Sequence, residues 1–150
     1  MDFLPILKRE RRVSTAINVV LSAAFFLLVF GTRSRELSMA APDNFALDFL
    51  AQAAAISVMA ALVPALLLRK VLRKGGAQSL PTTAAIIGQA GQMLLGGLVI
   101  AGLLAALCLL GPVASLSWTA ALAIKLAFGG LLGFAVTHLT LKRLFASRPV

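Results

Sequence analysis

Lys125 is the residue of this chain best placed to do chemistry. It is the only Asp, Glu, Lys or Arg between Lys74 and Lys142, and it lies deep in an apolar run. At about nine residues into that run, it stands about 13 Å from the outer end of a helix. An ammonium at bilayer depth is costly unless hydrated or paired, so such a residue is by default a functional candidate. Lys125, Gly129 and Gly133 follow an i, i+4, i+8 spacing and share one helix stripe. Gly129-x-x-x-Gly133 is a small-residue packing face, which turns Lys125 toward a bundle interior or a dimer interface. Asp48 and Gln52 are its expected partners, one turn apart on a single face. The Lys125 side chain leans toward its helix N-terminus, and so toward Asp48. Together these groups could gate a cavity or bind an anionic group. The competing reading is structural: a lysine that snorkels to the headgroups, or a plain Asp48–Lys125 link.

A second set of polar and small residues lies further along. Gly88, Gln92 and Gly96 share a face, with Gln89 beside them. Small residues admit a neighbouring helix and amides bond across the contact, so this set is expected to serve helix packing. Asn18, Gln89 and Gln92 are expected to meet in one polar cluster. Cys108 is the sole cysteine and His138 the sole histidine, so neither a disulfide nor a multi-cysteine metal site is expected. The sequence carries no Gly-x-Ser-x-Gly elbow and no phosphate loop. With one histidine and five acids, general acid–base catalysis has few players. No enzyme, metal or cofactor is expected.

The elements that must position these residues are four apolar stretches, at 14–31, 46–68, 83–110 and 116–137. Each approaches the roughly 20 residues needed to span a bilayer. Mean hydropathy is +0.98 and 60% of residues are hydrophobic, more than a soluble chain of 150 residues can bury. The expected fold is all-α: a four-helix transmembrane bundle forming one membrane domain over residues 1–150. Pro64 is expected to kink the second helix and Gly111-Pro112 to stop the third. Asp43 or Asn44 is expected to cap the second helix. Gly75-Gly76 should end that helix, and Trp118 should anchor the fourth at headgroup level.

The net charge of +9 is spatially ordered. Lys8, Arg9, Arg11, Arg12, Arg69, Lys70, Arg73, Lys74, Lys142, Arg143 and Arg148 fall on one side of such a bundle. Only Arg33 and Arg35 fall on the other, beside acids. The positive-inside rule then puts both termini in the cytoplasm, in a bacterial inner membrane, with the basic side against anionic headgroups. This placement rejects nucleic acid as the partner. Residues 2–12 read as an amphipathic lead-in lying on the inner surface. The first apolar run reads as a retained helix, since Arg33, Arg35 and Glu36 separate it from the Ser38-Met39-Ala40 stretch that loosely resembles a cleavage site.

The halves look alike. The run 63–72 lines up with 136–145 at an offset of 73, each ending in a basic pair, and 14–16 loosely matches 82–84 at an offset of 68. This reads as two tandem helical hairpins, 14–74 and 82–146, in a parallel repeat. The pattern Asp43-Asn44-Phe45, Phe49-Leu50, Val63-Pro64 and Arg69-Lys70-Val71-Leu72 resembles an uncharacterised bacterial family of small two-helix membrane hairpins. That resemblance covers mainly residues 14–74, and implies a hairpin fold and a membrane location but no reaction. Two functions are therefore expected to compete. One is a non-enzymatic membrane subunit that associates with itself or with a larger membrane protein. The other is a small-solute transporter or channel using Lys125, Asp48 and Gln52.

Overall fold

The computed structural model describes residues 4–74 and 80–146, and the side chains of 8–74 and 80–144. It contains helices α1 (Leu4–Phe30), α2 (Phe45–Lys74), α3 (Thr83–Leu110) and α4 (Trp118–Ala146), with two short strands, β1 (Glu36–Ser38) and β2 (Ser115–Ser117). All four helices carry segments long and apolar enough to cross a membrane. Many of their large apolar side chains face outward: Leu28, Leu103 and Leu110 are examples. Such a surface is stable only against lipid, and the chain is a multi-pass membrane protein built as an all-α four-helix bundle.

The helices outrun three of the four expected stretches. α1 begins at Leu4, so the basic lead-in is the first turns of the same helix rather than a separate surface segment. α2 carries its helix through Lys74. The Gly75-Gly76 stop and Arg148 lie outside the described residues. α4 starts at Trp118, because 115–117 are spent in a strand.

The packing does not follow the hairpins. α1 lies along α4, α3 lies along α2, and α2 packs on α4 in the centre. Within each hairpin, contact is thin. Each half therefore packs its first helix on the second helix of the other half. The same exchange relates α1 on α4 to α3 on α2. Phe45 and Trp118, which begin α2 and α4, stand 73 apart. The buried stripe Ser14, Asn18, Ser22 and Phe26 of α1 has the same spacing of four as Met93, Gly97, Ala101 and Ala105 of α3.

The strands form an antiparallel ribbon across one end of the bundle, with Leu37 opposite Leu116. Trp118 is half-buried at the start of α4. Its indole N–H donates to the Gly31 carbonyl at 3.0 Å, and its ring meets Phe26 edge-on at 5.4 Å. It ties the end of α1 to the start of α4. Gly31 allows this because its φ of +74° turns the chain out of α1 at no side-chain cost.

Asp43 does not cap α2. Its carboxylate accepts two bonds from Arg35, at 3.0 and 2.6 Å, and one from the Ser38 N–H at 2.9 Å. The Arg35 hydrogen bond and the Ser38 N–H hold its carboxyl at about 2, below the usual 3.8. A lowered carboxyl stabilises the fold at pH above its unfolded value and loses that contribution as pH falls toward the folded one. Protection of the Ser38 amide from hydrogen exchange is expected to fall between about pH 4 and about pH 2. Asp43→Asn should remove this pH dependence and leave the amide weakly protected throughout.

Candidate functional site

Lys125 lies seven residues into α4, about 10 Å along its axis. It is only 1% exposed. Its Nζ stands 2.8 Å from Asp48 Oδ2, an ionic contact whose angles are not those of a hydrogen bond. The expected pairing is therefore the observed geometry. Asp48 sits in the first turn of α2, where the helix dipole favours an anion. Phe45 and Phe49 share that helix face and complete the enclosure. The ammonium lies 3.8 Å from the Phe49 ring centroid and 4.9 Å from that of Phe45. Cation–π attraction of this kind contributes about 0.5–2 kcal/mol. Both rings belong to an aromatic series running Phe30, Phe45, Phe49 and Phe128, tilted at the first contact and edge-to-face at the other two.

Gln52 joins the site differently from the expectation. Its Nε2 donates to the Ser22 hydroxyl at 2.8 Å and to the Lys125 backbone carbonyl at 3.0 Å, not to the ammonium's counter-charge. Those bonds link α1, α2 and α4 at one point. Gln52 and Lys125 stand 73 apart, at equivalent positions of the two halves.

A polar stripe on α1 supports this point. Ser14, Asn18 and Ser22 are all buried toward α4. The glycines of α4 make room: a Cβ on Gly129 would lie 1.9 Å from Ser22 Oγ, and one on Gly133 would lie 2.4 Å from Asn18 Nδ2. Below them, the Thr137 hydroxyl meets that of Ser14 at 2.6 Å and the Ala60 carbonyl at 3.2 Å. Pro64 has no N–H to offer the carbonyl four residues back, which is that of Ala60. Thr137, the counterpart of Pro64 at the offset of 73, satisfies the group that Pro64 strands.

Because α1 and α2 barely touch, a cleft opens between them over α4. Its part nearer the β1–β2 ribbon is a cavity of about 370 Å³ bounded by Asn18, Ser22, Asp48, Gln52 and Lys125, with apolar walls from Phe26, Ala55, Ile56 and Met59 among others. Below it, a second cavity of about 220 Å³ shares Asn18, Leu21 and Met59 and reaches Glu10. Phe25 and Met59 at the side of the cleft are 54% and 51% exposed, so the opening faces lipid laterally.

The remaining expected residues sit elsewhere. Gly88, Gln92 and Gly96 all face outward from α3, and a Cβ on Gly88 or Gly96 would meet nothing within 4 Å. The glycine that packs α3 on α2 is Gly97, against Ser57. The cluster of Asn18, Gln89 and Gln92 does not form, because α1 packs on α4 and α3 on α2. Asn18 bonds Ser14, Gln89 donates to the Thr140 carbonyl and Gln92 accepts from Arg143. Cys108 is half-buried. His138 stacks on Phe134 beside Arg11. Among the described residues, no three His, Cys, Asp or Glu side chains gather where they could hold a metal ion.

Sequence reasoning named Lys125, Asp48 and Gln52 but missed the aromatic faces and the Ser14–Ser22 stripe. The i, i+4 spacing of Phe45 and Phe49, flanking Asp48, was the available signal for the first. The spacing of Ser14, Asn18 and Ser22 was the signal for the second. Comparison with protein-family models, with curated proteins and with solved structures finds no match to this chain.

Proposed function

We propose that this chain is a non-enzymatic inner-membrane protein that binds a small molecule in the cleft between α1 and α2, as the binding step of a carrier. Both termini are cytoplasmic, and the basic residues near the helix ends rest on anionic headgroups. The observation that carries the reading is the Lys125–Asp48 pair in the wall of a laterally open cavity. A fully structural ion pair gains nothing from adjoining a cavity, whereas a binding site needs a few polar groups set in a mostly apolar hollow. The volume of about 370 Å³ falls in the range typical of small-molecule sites, about 300–1,000 Å³.

The test is native mass spectrometry of protein extracted gently from its own membrane. A small molecule retained at one per chain is expected, and Ala55→Phe should abolish it. Ala55 borders the cavity, and its side chain is exposed at the mouth. Its counterpart at the offset of 73 is Phe128, so the fold already holds a phenylalanine at the equivalent place. Identical spectra from both proteins would count against the binding site.

A second reading rests on α3. The outward stripe of Gly88, Gln92 and Gly96 favours close approach by another helix, from a second copy or a larger membrane protein. On this reading the chain is an associating subunit, and its contact with a partner runs along α3.

A further inference from the structure

We infer that the occupant of the α1–α2 cleft is a neutral, single-chain amphiphile whose head donates hydrogen bonds, such as a long-chain alcohol or monoacylglycerol. This deepens the binding reading above and rests on it.

The polarity of the free groups selects the head. Asn18 is 3% exposed, and its Nδ2 donates to the Ser14 carbonyl at 2.8 Å. A carbonyl can only accept, so the amide is fixed with Oδ1 as its other end. That Oδ1 is buried without a partner. Gln52 repeats the pattern: Nε2 is fixed by the Lys125 carbonyl, and the buried Oε1 has no partner. Both side chains border the same cavity. Leaving a buried acceptor unmet is costly, and each such pair of acceptors calls for donors from elsewhere. Lys125 Nζ borders the same cavity and is a buried donor likewise without a hydrogen bond. The head must therefore donate to the two acceptors and accept from the ammonium, and a neutral hydroxyl does both.

The charges select against the alternatives. Lys125 and Asp48 already neutralise one another at 2.8 Å. A carboxylate head would bring no hydrogen to the two acceptors and would face Asp48. An ammonium head would have donors but would sit beside Lys125. A neutral hydroxyl head leaves the pair intact. The apolar walls and the opening between the exposed Phe25 and Met59 suit a chain entering sideways from the bilayer. The continuation of the cleft toward Glu10 gives the tail a track along α1. A hollow near the lower end of the ligand-site range fits one chain rather than two.

The experiment uses the full chain in lipid nanodiscs and three probes of equal chain length: a monoacylglycerol, a fatty acid and an alkylamine, each brominated on the tail. Trp118 is the sole tryptophan and touches Phe26, which lines the cavity, so bromine in the cleft quenches its fluorescence. The monoacylglycerol should quench saturably, with affinity at least tenfold above the other two. Gln52→Met, which removes one acceptor, should weaken it by about tenfold, and Ala55→Phe should abolish the saturable phase. Unaltered thermal unfolding in Ala55→Phe checks that its fold survives. Equal quenching by all three probes, or saturable quenching that survives Ala55→Phe, overturns the inference. Saturable binding of the acid or amine alone, lost in Ala55→Phe, also overturns it while leaving the cleft as the binding site.

Discussion

Asp48→Ala is expected to destabilise the protein by about 3–5 kcal/mol, whereas Lys125→Met should cost far less. The asymmetry follows from burial. The Lys125 side chain is 2% exposed and that of Asp48 is 25% exposed. Without Asp48, the ammonium remains enclosed with only the faces of Phe45 and Phe49 for company. Those faces cannot replace a full counter-charge. Without Lys125, Asp48 keeps its place at the first turn of α2, near the end of the bundle, where helix dipole and solvent both reach it. The double variant Asp48→Ala/Lys125→Met should recover most of the loss, because it removes both charges together. Unfolding measured in one detergent for all four proteins closes the cycle. If Lys125 instead reached the headgroups as a snorkelling residue, Asp48→Ala would cost under about 1 kcal/mol, as exposed pairs do.

Gly133→Ala is the second large effect. The new Cβ would meet Asn18 Nδ2 at 2.4 Å, Cγ at 2.8 Å and Cβ at 2.9 Å. No rotation of the Asn18 amide clears its own Cβ, so α1 must move off α4. Overpacking of this kind costs about 1–3 kcal/mol. It also disturbs Ser14 and Thr137, and with them the bond to the Ala60 carbonyl. Unfolding temperature reports the loss. Gly96→Leu is the matched control, since open space surrounds that position. It should leave the unfolding temperature unchanged. A smaller oligomer in Gly96→Leu would support association through α3, while an unchanged one would speak against it.

These effects mark how far the sequence reaches. Hydropathy and length suffice for four spanning helices, because lipid imposes that pattern on any such chain. The Lys125–Asp48 pairing was legible because a lone charge in an apolar run has few places to go. The partner exchange between hairpins was not. Apolar stripes in lipid do not say which helix they meet, and small residues mark closeness without naming the neighbour. Gly88-x-x-x-Gln92-x-x-x-Gly96 and Gly129-x-x-x-Gly133 look alike as spacings, yet one faces outward and the other grips α1. The ribbon was also hidden. Arg35 and Glu36 read as loop charges, and only the pairing of Leu37 with Leu116 shows that the α1–α2 and α3–α4 connections meet. The cleft follows from the partner exchange: α1 is drawn to α4, and α2, though it also packs on α4, is left apart from α1.

The open cleft is the claim on which the binding site stands, and photo-cross-linking tests it directly. A benzophenone amino acid placed at Ala51, on the exposed edge of the cavity, is activated in the native membrane. The predicted result is an adduct with a lipid or other small amphiphile, competed by added monoacylglycerol. An adduct with a protein instead would mean that a neighbouring helix covers the cleft, and would contradict a site open to lipid.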